Sequence, residues 1–391
     1  MKTTAQRWYI KFLQWKTQYL THRQFILLLC VLVGVATGFA ALAMRSLTHF
    51  IEEVLVGNII RYINYGFYVV FPAVGFLLVY LVKKYVIRKD VSHGIPSILY
   101  AVAKQKGIMK RFQAYGSLLT APITIGFGGS VGLEGPMVVT GAGISSQIAR
   151  LFHINQSDRM LLLACASAAA LAAIFKVPLA GILFAIEVFG LDLTLWSLLP
   201  LFVASLSGVL ISYLFFGNAA LLPIQVSGSF LMRNIPFYLL LGVVGGFMSA
   251  YFTFVYEWVN RFFARFSSPY VRLLIGGAVL GLLVFLMPPL YGEGHEVINH
   301  LKEGHPELSL GDNIFGWDLH NPWVIILLLA GLAFSKVVAT SVTFGAGGVG
   351  GIFSPMLFMG GVMGNCFARI INQIEWLPLK LPLANFTLIG M

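Results

Sequence analysis

The sequence predicts an all-α membrane protein with many spans, built from tilted and broken helices, and three observations predict this fold class. First, 58% of the 391 residues are hydrophobic and only 10% are charged, whereas a soluble protein has about 25% charged residues. Second, the longest apolar runs reach about 20 residues, which is the length that crosses a bilayer. Third, glycine-rich segments that end in proline interrupt the pattern, as they do in helices that break at membrane depth.

The clearest apolar runs are the candidate spans. They are Phe25–Ala43, Phe67–Val82, Leu161–Ala173, Leu198–Phe215, Phe237–Tyr256, Leu273–Met287 and Val324–Phe334. Some are shorter than the roughly 20 residues of a straight span, which predicts tilted, broken or re-entrant helices. The first run follows a long leader and precedes many more spans. We therefore interpret it as an uncleaved first helix and not as a signal peptide.

The formal net charge of +11 comes from cations in short segments beside the spans. The three clusters are Lys2, Arg7, Lys11, Lys16 and Arg23; Lys83, Lys84, Arg88 and Lys89; and Lys104, Lys106, Lys110 and Arg111. Such clusters mark the cytoplasmic side of a membrane protein, so they do not indicate nucleic-acid binding. Residues 1–23 are predicted to be a cytoplasmic segment, and residues 24–391 the transmembrane domain of a multi-pass inner-membrane protein.

Two glycine-rich segments, one in each half of the chain, have similar sequences. Gly132–Pro136 reads Gly-x-Glu-x-Pro, and Gly351–Pro355 reads Gly-x-Phe-x-Pro. They predict an internal repeat, with a first copy at about 24–220 and a second at about 233–391, although chance similarity explains the match about as well. The counterpart of Val177–Gly181 in the second copy would fall beyond the last residue, so the second copy is expected to be incomplete.

The two glycine segments predict an anion site made of helix N-termini. Proline suits the first turn of a helix, and glycine lets the backbone turn sharply and expose its amides. A helix N-terminus carries about +0.5 elementary charge and binds an anion without a charged side chain. Ser92–Pro96 is a third candidate start. Gly345–Gly350 also fits the G-x-G-x-x-G dinucleotide pattern, but it lies between spans and has no βαβ unit around it.

Enzyme chemistry has little support in the sequence. We find no metal-ligating cluster of His, Asp or Glu, no P-loop and no pairing of nucleophile with base, so neither a metal nor a cofactor is expected. The three cysteines, Cys30, Cys165 and Cys366, lie in apolar stretches and are interpreted as packing residues.

Four motifs, in order along the chain, resemble the signatures of the CLC family of chloride channels and proton/chloride antiporters. Ser92–Pro96 resembles G-S-G-I-P, and Gly128–Pro136 resembles G-S-x-G-x-E-G-P. Pro178–Glu187 resembles P-L-A-G-I-L-F-x-x-E, and Gly350–Pro355 resembles G-G-x-F-x-P. The likeness runs from about the first span to the last residue.

The resemblance implies a homodimer in the lipid bilayer, in which each subunit carries chloride or another halide through its own pore of two inverted repeats. It also implies that Glu134 is the gating glutamate, whose carboxylate occupies the anion site until it is protonated or displaced. An acid at membrane depth is functional by default, although a helix N-terminal acid that satisfies local amides is the alternative. The implied anion-site residues are His93, Gly94, Ile95, Leu133, Glu134, Gly351, Ile352 and Phe353.

Two positions depart from the family's pattern. His93 replaces a serine, and it is either an anion ligand that makes binding sensitive to pH or a histidine satisfied at a helix start. Val188 replaces the internal glutamate of proton-coupled members. The adjacent Glu187 lies about 100° away around the helix, where a structural role at the subunit contact is the alternative. These positions favour a channel or weakly coupled transport; antiport, fluoride export and a non-conducting truncated remnant are the alternatives. The family's pore tyrosine would lie beyond residue 391.

Overall fold

A computed structural model describes residues 18–60, 66–89, 91, 94–218, 221–222, 232–311, 318–375 and 380–391. The described chain is helical, which confirms the predicted all-α class. Its α-helices are α1 (His22–Glu52), α2 (Phe67–Leu81), α3 (Ile95–Lys104), α4 (Gly116–Gly126), α5 (Glu134–Leu151), α6 (Gln156–Phe175), α7 (Pro178–Phe189), α8 (Leu195–Phe216), α9 (Ile235–Ala264), α10 (Pro269–Leu286), α11 (His295–Glu303), α12 (Glu307–Leu310), α13 (Pro322–Gly345), α14 (Phe353–Asn372) and α15 (Leu383–Gly390).

All the predicted apolar runs, apart from the final Met287 of one run, lie in helices that are long and apolar enough to cross a membrane. These stretches are His22–Gly57, Phe67–Ile87, Gln156–Phe175, Leu195–Phe216, Met232–Ala264, Pro269–Leu286 and Pro322–Gly345. Most of them extend past the apolar run at one or both ends, because backbone hydrogen bonds continue into polar residues where hydropathy stops. The multi-pass prediction is thereby confirmed.

Several helices are short or irregular, as the apolar run lengths predicted. Prolines lie inside α2, α4 and α8, at Pro72, Pro122 and Pro200; each removes one backbone hydrogen-bond donor from its helix. The last turns of α1 and α2 widen into π-helix at Glu53–Ile60 and Val82–Ile87. Irregular backbone of this kind often marks a functional region.

One compact unit contains residues 18–42, 95–115 and 137–218 of the described chain. Helix α6 forms its centre, with a nearly continuous buried run of alanine, leucine and other apolar residues. The α1 and α8 backbones touch, since a Cβ added to Gly34 would lie 2.4 Å from the Ala204 carbonyl oxygen. The buried Lys176 Nζ donates to the Gly217 carbonyl at 2.7 Å, and thereby ties the end of α6 to the end of α8.

The second unit contains residues 43–60, 66–89, 91, 94, 116–136, 221–222, 232–311, 318–375 and 380–391 of the described chain. Small residues again let helices approach closely. A Cβ on Gly281 of α10 would lie 2.1 Å from the Val69 carbonyl oxygen of α2, and one on Gly364 of α14 would lie 2.1 Å from the Phe386 carbonyl oxygen of α15. This unit holds both glycine motifs. The boundaries of the two predicted repeats stay a prediction.

Candidate functional site

The two glycine segments lie side by side. The Gly132 N–H donates to the Gly351 carbonyl at 2.9 Å, and the Gly351 N–H donates to the Gly132 carbonyl at 2.7 Å, which makes a short antiparallel bridge. Helix α5 begins at Glu134 and α14 begins at Phe353, so each helix starts two residues after its bridging glycine. The partial positive charge of both helix N-termini is therefore concentrated at one place.

Each glycine loop donates a backbone hydrogen bond to a threonine, and that threonine lies on the helix that precedes the other glycine loop. Thr343 Oγ1 accepts the Ser130 N–H at 3.2 Å, and Thr124 Oγ1 accepts the Val349 N–H at 3.0 Å. Each pair of matching residues is separated by the same distance in the chain as the bridging glycines (351 − 132 = 219 residues). The two glycine loops therefore make matching hydrogen bonds at matching positions.

Thr343→Val should destabilise the fold, because the buried Ser130 N–H would lose its acceptor. A buried donor left without a hydrogen bond reduces the free energy of unfolding by about 1–3 kcal/mol. Thr253→Val is the matched control, since the Thr253 hydroxyl lies on an exposed part of α9 and donates only to the Ser249 carbonyl. Thermal unfolding in detergent should show a lower midpoint for Thr343→Val alone. Equal midpoints would mean that the Ser130 amide finds another acceptor.

Glu134 places a carboxylate at the start of α5 with almost no exposure, since its accessible fraction is 1%. Its Oε1 accepts a hydrogen bond from the Ser354 hydroxyl of α14. Its Oε2 is buried and makes no hydrogen bond among the described residues. A Cβ added to Gly132 would fall 2.1 Å from Oε2, so only glycine leaves space for the carboxylate at this point.

A histidine and a second glutamate extend this contact. His295, the first residue of α11, places Nε2 at 3.1 Å from Ser354 Oγ and at 3.9 Å from Glu134 Oε1. Its Nδ1 lies 3.4 Å from Glu293 Oε2. Glu293 Oε1 accepts the Leu133 N–H at 2.7 Å. A carboxylate therefore lies on one of the amides that the sequence predicted as an anion ligand.

The loop that carries Glu293 is held by three buried or part-buried side chains. The Lys336 ammonium on α13 is fully buried and donates to the Gly292 carbonyl at 2.8 Å. The Ser130 hydroxyl donates to the Leu290 carbonyl at 2.8 Å, and the Tyr291 hydroxyl donates to the Gly126 carbonyl. The loop is thereby positioned against the first glycine segment.

An acidic cavity of about 590 Å³ lies beside the site. The ionisable residues of its wall are Arg45, His49, Glu52, Glu53, Tyr68, Tyr291, Glu293, His295 and Glu296. Within the described part of the chain, the wall includes Leu133 but not Glu134. The cavity therefore reaches His295 and Glu293 and stops short of the Glu134 carboxylate.

Gly94, in the third glycine segment, also approaches the site. A Cβ added to Gly135 would lie 3.7 Å from the Gly94 Cα, and Ile95 is the first residue of α3. Ile352 and Phe353, at the start of α14, are 44% and 37% exposed. Their position next to the Gly132–Gly351 bridge places the first turn of α14 at the same point as the start of α5.

Two of the remaining predicted positions lie on α7. Val188 is half-buried and Glu187 is exposed on α7. The prediction for His93 lies outside the described residues.

Ser354, Glu293 and His295 did not figure in the sequence-based site. Ser354 lies within the second glycine motif, where the motif itself draws attention to the neighbouring Phe353. Glu293 and His295 belong to a Gly-Glu-Gly-His-Glu stretch, residues 292–296, between two spans. Charged residues between spans usually face water, so this stretch carried no signal beyond its two glycines.

The fold and this site define a polytopic membrane protein whose paired helix starts enclose a carboxylate. The family model described as "Voltage gated chloride channel" matches residues 74–391, and the chain therefore belongs to that family. It is a multi-pass membrane protein of the CLC type.

Several known proteins are similar to this chain. The "Putative chloride channel protein ClcB-like" of Ralstonia nicotianae is 27% identical and covers 92% of this chain and 82% of its own length. The "H(+)/Cl(-) exchange transporter ClcA" of Salmonella arizonae is 26% identical over 94% of this chain and 76% of its own.

Two solved structures have the same fold. The structure of a slow cyanobacterial Cl⁻/H⁺ antiporter matches with a TM-score of 0.74 and 21% identity, over 95% of this chain and 85% of the other. The structure of a CLC-type fluoride/proton antiporter matches with a TM-score of 0.71 and 22% identity, over 94% and 86%. These matches confirm the predicted CLC-type helical architecture.

Proposed function

We propose that this protein carries chloride or another halide across the bacterial inner membrane and that Glu134 gates the pathway. The observation that carries this proposal is the buried Glu134 carboxylate at the meeting point of two helix N-termini. Burying an acid at membrane depth costs free energy, and acids found there usually have a function. Family membership and the printed names of the relatives support chloride as the substrate.

The anion ligands of the proposed site are backbone amides. The first N–H groups of a helix have no intrahelical acceptor and favour negative charge. The Leu133 amide illustrates this preference, because it holds a carboxylate oxygen of Glu293. Amides bind a halide more weakly than a lysine or arginine would, and an ion that must leave again requires moderate binding. The other residues that the resemblance implies complete the proposed ligand set; they are Gly94, Ile95, Gly351, Ile352 and Phe353.

Glu134 works as a tethered anion in this proposal. When ionised, its carboxylate competes with a halide for the positive helix starts. When protonated, it loses that attraction and leaves the position to the halide. Acid should therefore increase anion flux.

Val188 favours a channel or weakly coupled transport, because valine cannot pass a proton along the route that uses an internal glutamate in coupled relatives. Proton/chloride antiport is the second candidate. It is supported by the "H(+)/Cl(-) exchange transporter" name of the Salmonella relative. The resemblance further supports a homodimer with one pathway per subunit, and the clusters of Lys and Arg support a cytoplasmic N-terminus.

Flux measurements on the full chain in liposomes test both candidates. We expect chloride efflux above that of protein-free liposomes, and no uphill proton movement in a simultaneous pH recording. Glu257→Gln is a suitable control, since this exposed acid pairs with the nearby Arg261, and it should leave flux unchanged. Absence of flux for chloride, bromide, fluoride and nitrate would overturn the transport proposal. Uphill proton movement under a chloride gradient would replace the channel with the antiporter.

A further inference from the structure

We infer that His295 and Ser354 form a proton relay that connects the acidic cavity to Glu134. The inference rests on the proposed role of Glu134 as a gate that must gain and lose a proton. It assigns the last step of proton delivery to two side chains of this site, in place of direct contact between Glu134 and water.

Access to Glu134 is the first argument. The carboxylate is 1% exposed, and the cavity wall includes Leu133, Glu293 and His295 but, among the described residues, not Glu134. Water in the cavity therefore reaches the imidazole and not the gate. A proton that enters from this side has to pass the His295 ring or wait for the structure to open.

Hydrogen-bond directions supply the second argument. A serine hydroxyl has one hydrogen, and the Ser354 hydroxyl donates it to Glu134 Oε1. The contact of 3.1 Å between Ser354 Oγ and His295 Nε2 then requires that Nε2 carries a hydrogen and donates. Nδ1 lies 3.4 Å from Glu293 Oε2 on the cavity side, so a proton that binds to Nδ1 is donated to the Glu293 carboxylate. Both hydrogen bonds of the relay are therefore donated in the same direction, from the His295 ring towards the Glu134 carboxylate.

The transfer is balanced in protons. One proton from cavity water or from Glu293 binds to His295 Nδ1. The Nε2 hydrogen moves to Ser354 Oγ while the hydroxyl hydrogen moves to Glu134 Oε1. The products are a neutral Glu134 acid, an intact Ser354 hydroxyl and a neutral His295 that carries its hydrogen on Nδ1. All the bonds then point the opposite way, with Glu134 donating to Ser354 and Ser354 donating to Nε2, and deprotonation reverses the steps.

The charges around the ring suit this role. Glu134, Lys336 and Arg45 act on His295 or on Glu293, and Glu52 and Glu296 line the same cavity. Carboxylates on the cavity side favour a transient imidazolium and attract protons from water. The Lys336 ammonium disfavours the imidazolium, because like charges repel, and this discourages the proton from staying on the ring.

A histidine satisfied by its neighbours, with no role in proton movement, is the alternative. Both interpretations predict a loss of stability when His295 is removed, so stability does not separate them. The rate at which acid activates flux does, because a structural histidine leaves proton delivery to water.

The experiment follows anion flux after a rapid pH drop in proteoliposomes of the full chain. The variants are His295→Gln, which keeps a polar side chain without a titrating ring, and Ser354→Ala, which removes the hydroxyl in the middle of the relay. His49→Gln is the matched control, since His49 lines the same cavity and its nearest acid is Glu53 at 3.8 Å. Gel filtration confirms that each variant is monodisperse.

We expect acid activation to slow by about 100-fold in both relay variants, the lower end of what a positioned acid–base group contributes, and to stay unchanged in His49→Gln. Imidazole added to His295→Ala should restore the fast response through the cavity. A wild-type rate in both relay variants would overturn the relay. A slow rate in His295→Ala that imidazole does not restore would also overturn it.

The test separates the relay from the gate. If Glu134→Gln keeps the acid response, the proposed gate fails and the relay has no acceptor. If Glu134→Gln loses the response while His295→Gln and Ser354→Ala keep the wild-type rate, the gate stands and only the relay fails. In the Glu134→Gln background, His295→Gln should cause no further change in flux.

Discussion

Glu134→Gln is expected to abolish the acid dependence of anion flux and to leave the pathway open. Glutamine has nearly the same shape as glutamate but does not ionise, so it never competes with a halide for the positive helix starts. In the native protein, flux should rise by up to about tenfold for each unit by which the pH falls, because the protonated fraction of a single carboxyl rises by that factor. In the variant, flux should be high and independent of pH.

Chloride efflux from liposomes over a series of pH values is the measurement. Glu257→Gln again serves as the control, since Glu257 is an exposed residue of α9 paired with Arg261. A flat, high profile in Glu134→Gln, together with a native profile in the control, supports the gate. A pH response in Glu134→Gln equal to that of the native chain would assign the titration to another group, and the Glu293 carboxylate on the Leu133 amide would be the next to replace.

Hydropathy predicted the membrane helices of this fold but not their ends. The run Phe25–Ala43, for example, is part of a helical stretch that extends to Gly57. The missing part contains Arg45, His49 and Glu52, which lower the mean hydropathy although the backbone continues as a helix. These polar residues line the acidic cavity, so the error in the helix end concealed part of the cavity wall.

Local motifs predicted the glycine loops more fully. Gly128 and Gly347 have φ angles of 93° and 95°, a conformation that favours glycine, and they occupy matching positions in the two loops. The sequence repeat could predict that the loops are alike. It could not predict that Gly132 and Gly351 pair with each other, because sequence similarity carries no information on distance.

The residues around the carboxylate required the tertiary structure. Leu133 and Glu293 are 160 positions apart in the chain, and Ser354 and Glu134 are 220 apart. No local pattern relates residues at such separations. The Gly-Glu-Gly-His-Glu stretch has neither helical periodicity nor metal-ligand spacing, so its sequence does not indicate a site. Its position is set by the side chains of Ser130 and Lys336, which donate to backbone carbonyls of the loop.

Gly351→Ala is expected to destabilise the protein strongly and to disrupt the site. A Cβ at this position would lie 2.8 Å from the Gly135 backbone nitrogen and 3.2 Å from the Gly135 Cα. Both are backbone atoms, so no side-chain rotation relieves the contact. The two glycine loops would have to separate, which breaks the reciprocal bonds between Gly132 and Gly351. Overpacking of this kind costs about 1–3 kcal/mol, and each lost backbone hydrogen bond adds about 1 kcal/mol.

Gly242→Ala is the matched control for this substitution. Gly242 lies in α9 with nothing within 4 Å of an added Cβ, so alanine should leave the fold intact and raise stability by about 0.5–1 kcal/mol through helix propensity. Thermal unfolding in detergent should therefore move in opposite directions for the two variants. A native midpoint and native chloride flux in Gly351→Ala would mean that the loops tolerate separation. The paired helix starts would then not be what holds the halide, because the positive ends of α5 and α14 act together only while this bridge keeps them adjacent.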